Sequence, residues 1–173
     1  MISRAPNINP WRLAVVAVPF STLLLAAAIM PLPLSIKIGG YWLMPSLPLI
    51  AVYLWTMHRP DLLSPLAVLV VGLLYDLLTN APLGVSALAF LAAYSIVVSQ
   101  RLFWLTLSGP GAIVGFVIVI LLAETVAWIG ISFAYGHFVS PVSGLIELGI
   151  TVLFFPLARM AFGPLLRAAG TAA

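Results

Sequence analysis

Six apolar segments take up most of this chain of 173 residues, and they constrain its fold more than any other feature of the sequence. A transmembrane helix needs about 20 mostly apolar residues, within a range of about 17–25. The segments come close to this length, and they are continuous, whereas β-barrel strands would alternate apolar and polar residues over about 10 positions. They lie at residues 13–33, 42–57, 62–78, 83–99, 111–135 and 141–162. We therefore predict an all-α polytopic membrane protein with six transmembrane helices, built as a single integral membrane domain over residues 1–173.

The small number of charged residues excludes several classes of protein. Charged residues make up 6% of the chain and hydrophobic residues 64%, whereas a soluble domain carries roughly 25% charged residues. The polar surface of a soluble enzyme is missing, and the hydrophobicity is too high for a disordered chain. The seven basic residues are scattered singly, so no nucleic-acid footprint is visible. The absence of cysteine excludes disulfides, iron–sulfur clusters and zinc–thiolate sites.

The basic residues also predict the orientation of the chain in the membrane. With six spans, only Lys37 falls on one side, in a connection at residues 34–41, and the other six basic residues fall on the opposite side. Because Lys and Arg concentrate in cytoplasmic loops, we predict that both termini are cytoplasmic. A cleaved signal peptide is the alternative for the first segment, but its apolar run exceeds the usual 7–15 residues, which favours an uncleaved anchor. The six basic residues on the cytoplasmic side are Arg4, Arg12, Arg59, Arg101, Arg159 and Arg167.

Three carboxylates fall inside the predicted spans, and they are the first candidates for a functional site because a charge in the membrane is costly. At about 1.5 Å per residue, Glu124 lies near the midplane, and Glu147 lies roughly 9 Å below the outer surface. Asp76 lies close to the outer end of the third span. We predict a small polar cavity, open to the outer side, that is lined by Asp76 and Glu147, with Glu124 as a third candidate.

Each carboxylate also has a purely structural interpretation. The sequence leaves the structural and the functional interpretation open for all three. Asp76 could cap the free N–H groups at the start of the fourth segment, across the short turn. Glu147 could be a solvated acid near the positive end of its helix. Glu124 could be a protonated acid that bonds a neighbouring helix.

The sequence offers no arrangement for catalysis. His58 and His137 fall on opposite faces of the membrane, so they cannot share a metal ion. No base lies at the depth of the serines in the spans, as a nucleophilic relay would require. We therefore expect no enzymatic activity, no metal and no cofactor.

Small residues in the fifth span indicate close helix packing. Gly111 and Gly115 form a GxxxG pattern, and Ala123 and Ala127 continue the same spacing of four residues. Small side chains on one helix face allow two backbones to approach closely. This row could pack inside the bundle or against the transmembrane helix of a partner.

The stretch from His58 to Tyr94, HRPDLLSPLAVLVVGLLYDLLTNAPLGVSALAFLAAY, resembles the MreD family of rod shape-determining proteins. The pattern includes an inner loop with a basic residue and a proline, a glycine one turn before an aspartate, a short polar turn and a second glycine. Gly72, Asp76 and Gly84 match it, whereas Glu124 and Glu147 fall on no motif of the family. The parts of the pattern are His58-Arg59-Pro60, Gly72-Leu73-Leu74, Asp76-Leu77, Leu83-Gly84-Val85, Ala87-Leu88-Ala89 and the following Arg101-Leu102-Phe103.

This resemblance implies a non-enzymatic protein of the bacterial inner membrane. Proteins of the family act in the elongasome, which maintains cell shape and makes side-wall peptidoglycan. The implied partner is MreC, together with MreB, RodA and a class B penicillin-binding protein in a larger complex. On this interpretation, removal of Asp76 should affect partner binding, and removal of Glu124 should affect the stability of the bundle.

The family is also similar in fold to the substrate-binding subunits of energy-coupling-factor transporters, which are six-helix bundles with an outward-facing pocket. A solute-binding membrane subunit of a vitamin transporter is therefore the alternative function. Such subunits usually dock through alanines spaced four apart on the first helix. No two alanines of the first span have this spacing, which makes the alternative weaker.

Overall fold

The computed structural model describes residues 10–29, 36–38, 41–43, 45–100 and 110–171, and six α-helices account for most of them. A two-stranded hairpin follows the first helix, and a single 3-10 turn at Pro60–Leu62 connects the second helix to the third. The helices are α1 Pro10–Ile29, α2 Leu47–His58, α3 Pro65–Thr79, α4 Val85–Ser99, α5 Pro110–Tyr135 and α6 Val142–Thr171, and the strands are β1 Ile36–Ile38 and β2 Tyr41–Leu43.

The second predicted segment begins differently from the expectation. Residues 42 and 43 belong to strand β2, which pairs with β1 in antiparallel register, with Lys37 opposite Trp42. Helix α2 begins only at Leu47, with Pro48 in its first turn, where a missing N–H group costs little. Trp42 and Leu43 are apolar enough to extend a predicted span, but aromatic residues such as Trp42 also favour strands.

The starts of the other helices agree more closely with the predicted segments. Helices α3, α4 and α5 begin within three residues of the predicted segments. Helix α6 continues to Thr171, well past the predicted end at residue 162. The end of the first segment, at residues 30–33, lies outside the described residues.

Helix α2 forms the centre of the bundle. Every residue from Pro48 to Met57 is buried, and the helix contacts α1, α4 and α6. A helix that is apolar on all sides suits such a position. Two polar contacts fix it: the Nε1 of Trp55 donates a hydrogen bond to Thr22 of α1 at 2.8 Å, and the amide of Ser46 donates to Thr151 of α6 at 3.0 Å.

An aromatic cluster joins α2 to the two long helices. The ring of Tyr53 meets the rings of Phe116 and Phe155 edge to face, at centroid distances of 5.1 and 5.8 Å. Phe116 and Phe155 stack on each other at 4.0 Å. Aromatic pairs in these arrangements contribute about 0.5–1.5 kcal/mol beyond the burial of their surface, so the cluster holds α5 and α6 against the centre.

Helices α5 and α6 are long and apolar enough to cross a membrane, over Ile113–Tyr135 and Val142–Pro164. Many of their large apolar side chains point away from the bundle, and Phe133, Leu153 and Met160 are each more than 70% exposed. The core helix of a soluble protein would bury these side chains, because exposing them to water costs about 25 cal/mol per Å². Helices α2, α3 and α4 are equally apolar but shorter, with 12 to 15 residues.

Helices α3 and α4 pack closely at Gly72. A Cβ atom at this position would lie 2.4 Å from the Cα of Ala87 and 2.8 Å from its amide nitrogen. These are backbone atoms, so the contact cannot be relieved by rotating a side chain. The absence of a side chain at residue 72 therefore sets the distance between the two helices.

Replacing Gly72 with alanine should destabilise the bundle, because α3 and α4 would have to move apart. We expect the Gly72→Ala substitution to cost about 1–3 kcal/mol, as overpacking of a close contact usually does. The measurement is the midpoint of thermal unfolding in detergent. Gly149→Ala in α6 is the matched control, because a Cβ there meets nothing within 4 Å. Equal midpoints for the two variants would contradict the close packing at Gly72.

Candidate functional site

The turn between α3 and α4 is built around the side chain of Asp76, which is completely buried. Its Oδ2 accepts a hydrogen bond from the amide of Gly84 at 2.7 Å, and its Oδ1 accepts one from the amide of Ser86 at 3.0 Å. The first amides of a helix have no partner within the helix. Gly84, the residue at the N-cap of α4, has no side chain with which to bond them. Asp76 therefore caps α4 from the preceding helix.

Two residues with positive φ give this turn its shape. Asn80 ends α3 in the left-handed conformation, with φ 54°, and its amide donates to the backbone oxygen of Asp76. Gly84 has φ +96°, which favours glycine. The backbone and the side chain of Asp76 thus hold opposite ends of the same turn.

A cavity of about 280 Å³ lies between α5 and α6, next to the turn that joins them. Most of its wall is apolar, with side chains such as Leu121, Ile131 and Leu148. Its polar groups are two carboxylates and several hydroxyls, contributed by Glu124, Thr125, Ser140, Ser143 and Glu147. The arrangement is a largely hydrophobic chamber with two acidic groups in its wall.

The two carboxylates come from different helices. Glu124 of α5 and Glu147 of α6 are half-buried and line the same cavity. The Oε2 of Glu124 lies 4.0 Å from the position that a Cβ on Gly144 would take. Within the part of the chain that the structure describes, neither carboxylate has a hydrogen bond or an ion pair.

The expectation of one cavity lined by all three acids is wrong for Asp76. The cavity is lined by Glu124 and Glu147, whereas both oxygens of Asp76 are occupied by backbone amides. The capping interpretation describes Asp76 instead. Glu124 forms no side-chain hydrogen bond to another helix among the described residues, so the structure offers no support for its interpretation as a bond between helices.

The cavity and the capped turn nevertheless lie at the same end of the bundle. At this end α5 packs on the beginning of α4, because Gly130 would place a Cβ 3.3 Å from the side chain of Val85. The position of α4 therefore supports the part of α5 that carries the cavity wall.

Trp128 forms a fixed aromatic part of the cavity wall, which the sequence analysis missed. Its Nε1 donates a hydrogen bond to the backbone oxygen of Val139 at 2.8 Å, and its ring stacks on Phe138 at 6.1 Å. The signal in the sequence is its position one turn after Glu124, which places the two side chains on one helix face.

The row of small residues in α5 faces mainly into the bundle. Gly115 and Ala123 are buried, and Gly111 and Ala127 are half-buried. Ala123 belongs to the main hydrophobic core. The internal packing that the spacing predicted as one alternative therefore accounts for this row.

The remaining polar groups of the described residues are dispersed. Arg59 and Asp61 form an ion pair of 3.2 Å at the end of the bundle opposite the cavity. His58 lies beside them, whereas His137 lies beyond the end of α5. No three His, Asp or Glu side chains in the described ranges come together as a metal site.

Comparisons of the chain with protein-family models, with curated proteins and with solved structures give no match. The resemblance of residues 58–94 and the geometry of the turn and the cavity therefore carry the functional interpretation.

Replacing Asp76 with alanine should destabilise the protein, because two amides at the start of α4 would lose their acceptor. We expect the Asp76→Ala substitution to cost about 1–3 kcal/mol, measured as a lower midpoint of thermal unfolding in detergent. Asp61→Ala removes an exposed ion pair and should change the midpoint little. A midpoint for Asp76→Ala that equals the wild-type value would contradict the capping role.

Proposed function

We propose that this protein is a non-enzymatic membrane scaffold of the bacterial elongasome that binds MreC and thereby takes part in cell-shape maintenance and side-wall peptidoglycan synthesis. It crosses the inner membrane six times, with both termini in the cytoplasm. MreB, RodA and a class B penicillin-binding protein belong to the same larger complex.

One observation carries this proposal. The three residues that match the MreD pattern are spread over 13 positions, yet all act on the same hairpin: Gly72 sets the helix spacing, Asp76 caps α4 and Gly84 takes the positive φ. A chance likeness between hydrophobic sequences would not be expected to select residues that cooperate in one structural element.

The exposed surface of α6 is where we expect the transmembrane helix of MreC to bind. Leu145, Gly149 and Leu153 follow one another at intervals of four residues, and all three are exposed. A small residue between larger apolar ones allows a second helix to approach closely in the membrane. Gly149 has open space above it, since a Cβ there meets nothing within 4 Å.

Co-purification from detergent tests the scaffold. A tagged wild-type chain should enrich MreC over an unrelated polytopic membrane protein, and no enrichment would overturn the proposal. Gly149→Leu should reduce the recovery of MreC by about tenfold or more, because a leucine would keep the helices apart. Ala134→Leu, at an exposed position of α5, is the matched control. Equal recovery with both variants would exclude the α6 surface while leaving the scaffold in place.

Labelling of single introduced cysteines tests the six crossings, because the natural chain contains no cysteine. We expect Lys37→Cys to react with a membrane-impermeant reagent from outside the cell. Arg59→Cys and Arg101→Cys should react only after the membrane is opened. Reaction of residues 37 and 59 from the same side would contradict this topology.

The solute-binding subunit of an energy-coupling-factor transporter is the second candidate, and the cavity between α5 and α6 is the observation that favours it. A scaffold needs no cavity of this kind, whereas a solute-binding subunit needs one. Tight binding of a vitamin by the purified protein, without recovery of MreC, would favour this candidate over the scaffold.

A further inference from the structure

We propose that the cavity between α5 and α6 binds a small organic ammonium ion, with its charge beside Glu124 and Glu147 and its apolar part against Trp128 and the surrounding side chains. The elongasome role does not require this site. It would be present in a scaffold and in a solute-binding subunit alike.

The two unpaired carboxyl groups of the wall favour a cation. Glu124 and Glu147 line the same cavity and have no ion pair with any residue that the structure describes. Two carboxylates in a largely apolar environment are costly when they are unpaired. A positive group between them relieves both their mutual repulsion and their desolvation.

The remainder of the wall favours an organic cation over a metal ion. Calcium and magnesium require six or more oxygen ligands. Thr125, one of the few hydroxyls in the wall, already donates to the backbone oxygen of Leu121 at 2.7 Å. Much of the wall is hydrocarbon, which would leave a hydrated ion without partners but matches the apolar part of an amine.

Trp128 provides the third feature of the site. Its hydrogen bond to Val139 and its contact with Phe138 hold the indole ring in place at the cavity wall. A fixed ring loses no rotational freedom on binding, and its apolar surface matches the hydrocarbon part of an amine. The same wall thus presents two carboxyl groups and an aromatic side chain.

The volume limits the size of the ligand. A cavity of about 280 Å³ lies just below the usual range of about 300–1,000 Å³ for ligand sites. It therefore fits an amine with one ring or a short chain. Gly144 contributes to this space, because a Cβ there only reaches within 4.0 Å of Glu124 and a larger side chain would project into the chamber.

Isothermal titration of the purified protein in detergent tests this site, with benzylammonium as the probe and benzyl alcohol as its neutral counterpart. We expect benzylammonium to bind at millimolar concentrations or below and benzyl alcohol to give only the heat of a micelle blank. Absence of benzylammonium binding, or equal binding of the two probes, would overturn the proposal. This comparison uses the wild-type protein and needs no variant.

Substitutions then test the role of the charges. Glu124→Gln and Glu147→Gln keep the shape of each side chain and should weaken benzylammonium binding by about tenfold or more. Asp61→Asn, at the opposite end of the bundle, should leave the affinity unchanged. Unchanged affinity in the double glutamine variant, or displacement of benzylammonium by equimolar sodium or magnesium, would contradict an organic ammonium site.

A larger side chain at residue 144 would fill the cavity, which tests the binding site without changing either carboxylate. Gly144→Leu should abolish benzylammonium binding, whereas Gly149→Leu, the same change at an exposed position of the same helix, should leave it intact. Binding retained by Gly144→Leu would place the amine elsewhere, for example in the detergent. Failure of this site would not affect recovery of MreC, so the two proposals can fail separately.

Discussion

The end of the bundle that contains the α3–α4 turn depends on the hydrogen bonds between Asp76 and the start of α4. In lipid, the free amides of a helix cannot bond to water and must find partners within the protein. Asp76 supplies both acceptors from the preceding helix, so α3 and α4 leave the turn as one unit. Val85 at the beginning of α4 then packs against Gly130 of α5. The part of α5 that carries Glu124 is positioned on this support.

The structure separates two acids whose roles the sequence leaves open. The carboxylate of Asp76 accepts two backbone hydrogen bonds and thereby closes a turn. Glu124 lines a cavity and has no partner among the described residues. Hydropathy places each acid at a depth in the membrane, but the partner depends on how each helix is rotated about its axis. Single sequences contain little information about that rotation when helices are apolar on all sides.

The starts of some helices are easier to predict from the sequence than these roles, because a proline marks them. Pro65 and Pro110 begin α3 and α5, where a proline lacks only an N–H group that would be unbonded anyway. The β-hairpin is not predicted because Trp42 and Leu43, which belong to its second strand, are apolar enough to extend a span. The sequence predicts a cavity with Glu147 and Glu124 in its wall but not its position, because the wall is formed by residues on two helices and their connecting turn. Trp128 is not predicted because its fixed position depends on a hydrogen bond to the backbone of Val139.

The burial of α2 from Pro48 to Met57 has a consequence for how the protein would fit a bilayer in the proposed membrane location. With 12 residues, the helix is roughly 18 Å long, far less than the roughly 30 Å of a hydrocarbon layer. In the proposed membrane location, its neighbours would shield it from acyl chains, so its short length would carry no penalty. The long helices α5 and α6, with 26 and 30 residues, would have to tilt or deform the lipid. A change in membrane thickness would therefore act on the exposed helices and reach the central helix only through them.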